Sequence, residues 1–378
     1  MSKYSLRAKD ILMKIAEKGP YAVECAHSIE GIPYTVKNGC WAPGYGIDWW
    51  TNGFWPAEMW QMYLETGNAL YRDEALRGEE LLDEALKNFE TLHHDVGFMW
   101  LISSGVHYAL EKDEASRKRL VLAGDLLASR YNPNGFIRAW NDGPENRSGW
   151  SIIDTMMNLP LLYAMSRLTS DPRFRLMAIS HARTAAKNFF KPDGSVYHII
   201  VYDPENGKIL ETPAGQGCAP GSSWSRGQSW AMYGFTLSFL CTKDEAFLDC
   251  ARRVSDFFIS HLPENRLAPI DFCQPSENKA VDNCANAIAA SALIELSRIL
   301  ADTEPDVSAR YEDAAADLLF ALDETSACYD RSIPALLTRC TGAYGDSSPE
   351  YPILYADYFY IEALRKLAGE TRLFWTMV

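Results

Sequence analysis

Apolar residues recur at helical spacing along almost the whole chain, but in two densities. Six stretches, at 53–65, 97–111, 152–168, 227–241, 283–300 and 355–367, are apolar around most of a helical circumference, as helices packed on every side must be. Six others, at 5–18, 69–90, 115–129, 172–190, 245–261 and 307–324, are more charged and carry a single apolar stripe. The two kinds alternate. A short turn joins each apolar helix to the charged one after it: Thr66-Gly67-Asn68, Lys112-Asp113-Glu114, Thr169-Ser170-Asp171-Pro172, Thr242-Lys243-Asp244 and residues 303–306. Tyr71 and Ala75, Phe174 and Ala178, Phe247 and Ala251, and Tyr311 and Ala315 repeat an aromatic four positions before an alanine, on one helical face. This is an array of helical hairpins. The first charged helix lacks an apolar partner before it and the last apolar helix lacks a charged partner after it, so pairing the two closes a ring. The predicted fold is all-α, an (α/α)6 barrel of six inner and six outer helices formed by residues 1–378 as one domain.

The connections from outer to inner helices are mostly long: 20–52, 131–150, 191–224, 263–282 and 326–354, rich in Gly, Pro, Asn and aromatic residues. Inner helices of such a ring share one direction, so these loops gather on one rim above the inner N-termini, and long loops on a rigid scaffold are where sites are built. Short hairpins, such as 195–202 with 208–212, are expected there.

The stretch at 148–163, SGWSIIDTMMNLPLLY, reads as a buried helix interrupted by one carboxylate, Asp154. A buried carboxylate that is not paired tends to hold its proton, which suits an acid catalyst. Other unusual residues fall at inner-helix starts: Trp49, Trp50 and Trp55; His93, His94 and Asp95; Trp140 and Trp150; Trp224, Arg226, Gln228 and Trp230, with Gln216 in the loop before; Asp282 and Asn283; Tyr355, Asp357 and Tyr358. Tryptophans beside carboxylates, amides and an arginine suit a sugar ring, whose faces stack on indoles and whose hydroxyls need directional partners. Asp95 can alternatively cap the helix after it, and Arg226 can pair with Asp154 or another wall carboxylate. Adjacent histidines do not face the same way and no H-E-x-x-H spacing occurs, so no metal is expected at His93, His94 and Asp95. There is no G-x-S-x-G, P-loop or G-x-G-x-x-G, and no cofactor is expected.

The formal charge of -14 argues against nucleic acid and anionic membranes as partners and requires a local cationic pocket for an acidic substrate. Nine cysteines without a C-x-x-C pair suggest reduced thiols. The N-terminal segment lacks a signal core and no run is apolar enough to span a bilayer, so a cytoplasmic protein, monomeric or weakly homo-oligomeric, is expected.

The strings HHDVGFMW, IIDTMMNLPLLY, YDPENGK and GSSWSRGQSWAMYGF, with WWTNGFWPAEMW before them and DYFYIEALRKL after, resemble those of the unsaturated glucuronyl hydrolases, glycoside hydrolase family 88. The resemblance is collinear along nearly the whole chain. It implies the barrel derived above and an enzyme that removes a 4,5-unsaturated uronic acid from the non-reducing end of lyase-generated glycosaminoglycan oligosaccharides. It also implies roles: Asp154 protonates C4 of the vinyl ether and activates the water that adds at C5. Asp95 is the second essential carboxylate, and Trp50, His94, Trp140, His198, Gln216, Trp224, Arg226 and Trp230 hold the sugar. Two departures are Gly215, where the family often has histidine, and Asp282-Asn283-Cys284-Ala285, where it has D-S-S-A; both are expected on the rim where a second sugar or its sulfate would sit, clear of the acid. Competing readings are a rhamnogalacturonyl hydrolase acting on pectin fragments, an epimerase of the acylglucosamine type, and a non-catalytic sugar-binding barrel. An epimerase would use histidines, of which only His93, His94, His198 and His27 look rim-placed and only His107 lies within an inner helix.

Overall fold

The computed structural model describes residues 2–378. Outer helix α1 (Ser5–Ala26) leads through a hairpin of β1 (Pro33–Lys37) and β2 (Cys40–Pro43) to inner α2 (Phe54–Thr66) and outer α3 (Ala69–Lys87). Two short helices, α4 (Val96–Trp100) and α5 (Ser104–Glu111), share the second inner position beside outer α6 (Glu114–Ser129). Strands β3 (Tyr131–Asn132), β4 (Phe136–Ile137) and β5 (Trp150–Ile152) precede a 3-10 segment, Ile153–Met157, then inner α7 (Leu159–Thr169) and outer α8 (Pro172–Asn188). After β6 (Ile199–Tyr202) and β7 (Ile209–Glu211) come inner α9 (Ser225–Thr242), outer α10 (Glu245–His261), inner α11 (Asn283–Leu300), outer α12 (Pro305–Thr325) and inner α13 (Leu354–Ala368). The ring closes as expected: α13 packs on α11 and on α2, and α1 packs on α13. The Ser5 hydroxyl donates to the Ala368 carbonyl at 3.1 Å, tying the chain's two ends together.

The hairpin turns work as their residues dictate. Gly67, Lys112, Ser170 and Lys243 end the inner helices in the left-handed conformation, and Asn68, Asp113, Asp171 and Asp244 then cap the outer helices through their side chains. All four aromatic–alanine pairs of the repeat are buried, so they mark the inward faces of the outer helices. No helix among the described residues is long and apolar enough to cross a membrane.

Three elements differ from the sequence pattern. Helix α1 runs on through Pro20 to Ala26, because Val23 and Ala26 are buried and Lys18 anchors the segment by donating to the carbonyls of Cys328 (2.7 Å) and Ala335 (2.6 Å). The second inner helix breaks at residues 101–103, where the Ser103 hydroxyl turns back onto the Met99 carbonyl at 2.5 Å. The third begins late. Trp150–Ile152 pairs with Ile199–Val201 as a strand, so its backbone groups are committed to a sheet, and the α-helix starts only at Leu159 with Pro160 in its first turn.

Candidate active site

Asp154 therefore sits on the 3-10 segment and not on an α-helix. This correction explains its surroundings: the β5–β6 register sets Ile152 opposite Ile199, and the Ile153 amide donates to the His198 carbonyl at 3.0 Å. The sheet thus carries Asp154 and His198 to the same spot. His198 Nε2 lies 3.7 Å from Asp154 Oδ1, too far for a hydrogen bond, and both atoms are buried without a partner. The Asp154 side chain keeps 16% exposure, so it is reachable from solvent.

Asp95 stands in the turn before α4, and its carboxylate makes no capping bond to that helix. It faces side chains instead: His93 Nδ1 at 3.1 Å, His94 Nε2 at 3.4 Å and Asn158 Nδ2, which donates to Oδ1 at 3.3 Å. The His93 contact is close but poorly aligned for a hydrogen bond. The expectation that the two histidines diverge fails, because they lie in a turn where both rings approach one carboxylate and the three donor atoms converge within 4.8 Å. His94 Nδ1 is already engaged with Thr155 Oγ1 at 2.7 Å, which leaves Nε2 as the ring atom of His94 that faces Asp95.

The two carboxylates are driven apart in acidity. Burial, then the like charge of Asp95, push the Asp154 carboxyl up to about 8 against the pull of Arg226. Burial also works against the charge of Asp95, but the histidines and Asn158 outweigh it and hold that carboxyl below its usual value. His94 and His198 are neutral near pH 7, since burial takes them down to about 4 and about 3 respectively. The tautomer of His198 is fixed by the Gln216 amide, which donates to Nδ1 at 3.0 Å and leaves Nε2–H directed at Asp154. An acid that is protonated at neutral pH beside a permanently charged carboxylate is equipped to deliver a proton and take one back.

Arg226, in the first turn of α9, pairs with Asp282 Oδ2 at 2.6 Å and donates to the carbonyls of Thr341 and Gly342. Its partner is thus the wall carboxylate Asp282 and not Asp154, and its positive charge is largely compensated. Its guanidinium lies over Trp224 at 4.5 Å, and Trp224 packs on the His198 ring at 4.3 Å. Gln216 ties this wall to the next loop by donating from Nε2 to the Gly342 carbonyl at 3.0 Å. Trp230 is fully buried as floor, 5.1 Å from Phe98, which also meets Trp50 at 5.5 Å. The indole N–H groups of Trp224 and Trp230 have no partner. Trp140 stands beside Trp150 at 5.9 Å, next to the His94 backbone, whose amide donates to the Ala139 carbonyl at 3.1 Å.

Sequence reasoning missed Arg147, which covers the rings of both Trp140 and Trp150, and Asn158, an amide four residues after Asp154 in the same apolar run. Gly215 is exposed on the rim but also touches the site: it adopts φ +60, and a Cβ there would lie 2.1 Å from His198 Nδ1, the histidine beside the acid. His27 is not at the site but pairs with Glu74 at 2.8 Å, and His107 is bound among Glu79, Ser116 and Glu111.

Comparison with known proteins decides the family. The model of Glycosyl Hydrolase Family 88 matches residues 27–260. The chain belongs to this family. An unsaturated glucuronyl hydrolase of Bacillus sp. (strain GL1) is 36% identical over 334 residues, covering 86% of this chain and 88% of that protein. An unsaturated chondroitin disaccharide hydrolase of Streptococcus pyogenes serotype M1 is 31% identical, covering 86% and 83%. The crystal structure of the unsaturated glucuronyl hydrolase from Bacillus sp. GL1 superposes with a TM-score of 0.87 at 33% identity over 93% of this chain and 94% of that one. As a family 88 member the chain is a glycoside hydrolase with the family's α/α barrel, which removes the non-catalytic reading.

Proposed function

We propose that this family 88 enzyme releases 4,5-unsaturated uronic acid from the non-reducing end of lyase-generated glycosaminoglycan oligosaccharides by hydrating the C4=C5 vinyl ether. The observation that carries the reading is the unequal carboxylate pair: Asp154 neutral with an unpartnered oxygen, Asp95 charged and hydrogen-bonded. The substrates printed in the names of the relatives agree with it. Protonated Asp154 gives its proton to C4 as the double bond's electrons form the new C–H bond, leaving a cation at C5 shared with the ring oxygen. Water adds at C5 and passes its proton to the Asp154 carboxylate, which regains its starting state. The resulting hemiketal opens and expels the remaining saccharide. In this reading the His198 Nε2–H steadies Asp154 while it is charged, Asp95 and the His94 side hold ring hydroxyls, and Trp50, Trp140, Trp224 and Trp230 wall the ring. Arg226, already balanced by Asp282, orients the uronate and does not act as a free cation. A groove of about 450 Å³ between Tyr34, Lys37, Tyr45, Asp346 and Tyr351 is assigned the leaving saccharide, because Tyr34 meets Trp49 at 5.9 Å and Trp49 meets Trp50 at 6.4 Å.

The chain is read as one catalytic domain, which the ring closed by its two ends supports. A cytoplasmic setting fits the nine free cysteines of the fold. A monomer or weak homo-oligomer fits exposed apolar side chains that are scattered, such as Leu6, Leu122 and Leu176. The test is to mix the enzyme with unsaturated chondroitin, hyaluronan and heparin disaccharides and follow the absorbance of the conjugated C4=C5 bond. Decay with at least one set is expected. No decay with any of them, but decay with unsaturated pectin fragments, would replace the glycosaminoglycan assignment with the rhamnogalacturonyl one.

A further inference from the structure

Asn158 is fully buried and its amide reaches both halves of the carboxylate pair. Oδ1 accepts from the Phe98 amide at 2.9 Å, inside α4, while Nδ2 donates to Asp95 Oδ1 at 3.3 Å and to the backbone carbonyl of Asp154 at 3.4 Å. The approach is possible because residue 97 is glycine: a Cβ there would stand 2.6 Å from Asn158 Oδ1 and 2.9 Å from its Cα. Two segments from different inner positions, the turn bearing Asp95 and the 3-10 segment bearing Asp154, are thereby joined by one side chain.

We propose that Asn158 is a positioning residue for the hydration reaction, acting through Asp95 and Asp154 by locking their separation and by donating a hydrogen bond to the Asp95 carboxylate. The proposal rests on the functional reading above, but its geometry does not. The groups facing Asp95 are His93 and His94 on its own turn, Asn158 and Asp154 on the 3-10 side, and Arg130 at longer range from α6. The His93 contact is misaligned and His94 Nε2 stands 3.4 Å away, so among the described residues the Asn158 amide makes the one well-formed side-chain hydrogen bond to this carboxylate, beside the larger influence of the two histidines on its acidity.

The test compares Asn158→Leu, which is close in size and loses the donor without adding a charge, with Asn158→Ala and with Gly97→Ala, which displaces Asn158 without altering either carboxylate. Each should lower kcat at pH 7 by roughly 10- to 100-fold with a smaller change in KM, and should move the acidic limb of the kcat/KM profile upward by about one pH unit. Carboxyl ¹³C titration of the substrate-free protein, with Asp95→Asn to assign the signal, should show the same upward shift for Asp95. That readout separates this claim from the substrate assignment, because it needs no turnover. A soluble, folded variant with wild-type limbs and an unmoved Asp95 titration, whatever its activity or stability loss, would overturn the proposal. If Asn158→Ala does not fold, the size-matched Asn158→Leu and the Gly97→Ala variant still decide it.

Discussion

Asp154 at the rim and Glu362 inside α13 are both buried carboxylates of the inner ring, yet they meet opposite fates. Glu362 accepts from Tyr233 Oη at 2.6 Å, Tyr358 Oη at 3.0 Å, Trp375 Nε1 at 2.9 Å, Lys366 Nζ at 3.0 Å and the Ser291 hydroxyl. Burial opposes its charge, but Lys366 and these donors outweigh it and hold the Glu362 carboxyl below the usual pKa of a glutamate. Asp154 has an unpartnered oxygen, a distant histidine and a like-charged neighbour, and its carboxyl rises to about 8. Lying mostly inside the protein, as both do, therefore says little about a carboxylate. What decides is whether its lone pairs are spent: the satisfied one fastens the barrel, and the unsatisfied one is left for chemistry.

The comparison breaks most sharply through Asp154→Asn. The variant should fold and lose activity by about 10³-fold or more, because the amide has no acidic proton to deliver; near-normal absorbance decay with unsaturated disaccharides would refute the assignment. Glu362→Gln should do the reverse, costing about 3 kcal/mol or more in urea unfolding by leaving Lys366 buried beside a weaker partner, while the residual folded enzyme keeps its pH profile. An altered profile at full stability would dissolve the division between the two regions.

A smaller effect concerns the pH dependence of stability. Asp154 ionises near 8 when folded and at about 3.9 when unfolded, so between those values unfolding releases a proton and stability falls as pH rises. Glu362 has the opposite sign: its contribution is present above about 4.3 and is lost as pH falls through its depressed folded value. Asp154→Asn should thus be more stable than wild type at pH 8, on the order of a few kcal/mol, with the gap closing toward pH 4. Equal stability at both pH values would mean that the carboxyl is not strained by burial. Gly215→Ala is the mildest: forcing a Cβ against His198 at a positive φ should cut kcat/KM roughly 10-fold by displacing the Gln216 amide that fixes the imidazole. Unchanged kinetics there would show that the tautomer lock is dispensable.

The barrel was legible in the sequence because most hairpins repeat the same physical devices, a left-handed stop, an Asn or Asp cap, and an aromatic four residues before a buried alanine, with all three present at α2–α3, α7–α8 and α9–α10. The site was legible as a set of residue types at one rim. What escaped was set by very short elements. Strand β5 has three residues, too few for alternation to register, yet it pulls Asp154 out of the helix and against His198. The pairing of Arg226 with Asp282 and the contact of Gly215 with His198 join positions 56 and 17 residues apart, which no local pattern encodes. Asn158 was visible as a polar residue in an apolar run, but the same stretch drew attention to Asp154 alone.

The central claim is that Asp154 is an uncharged acid at neutral pH, and its protonation can be read directly. In ¹³C-carboxyl aspartate-labelled protein, the resonance that disappears in Asp154→Asn should titrate near pH 8, with Asp95 already ionised throughout that range. A resonance titrating near pH 4 would contradict the account, leaving the enzyme without a proton donor at the position the fold provides.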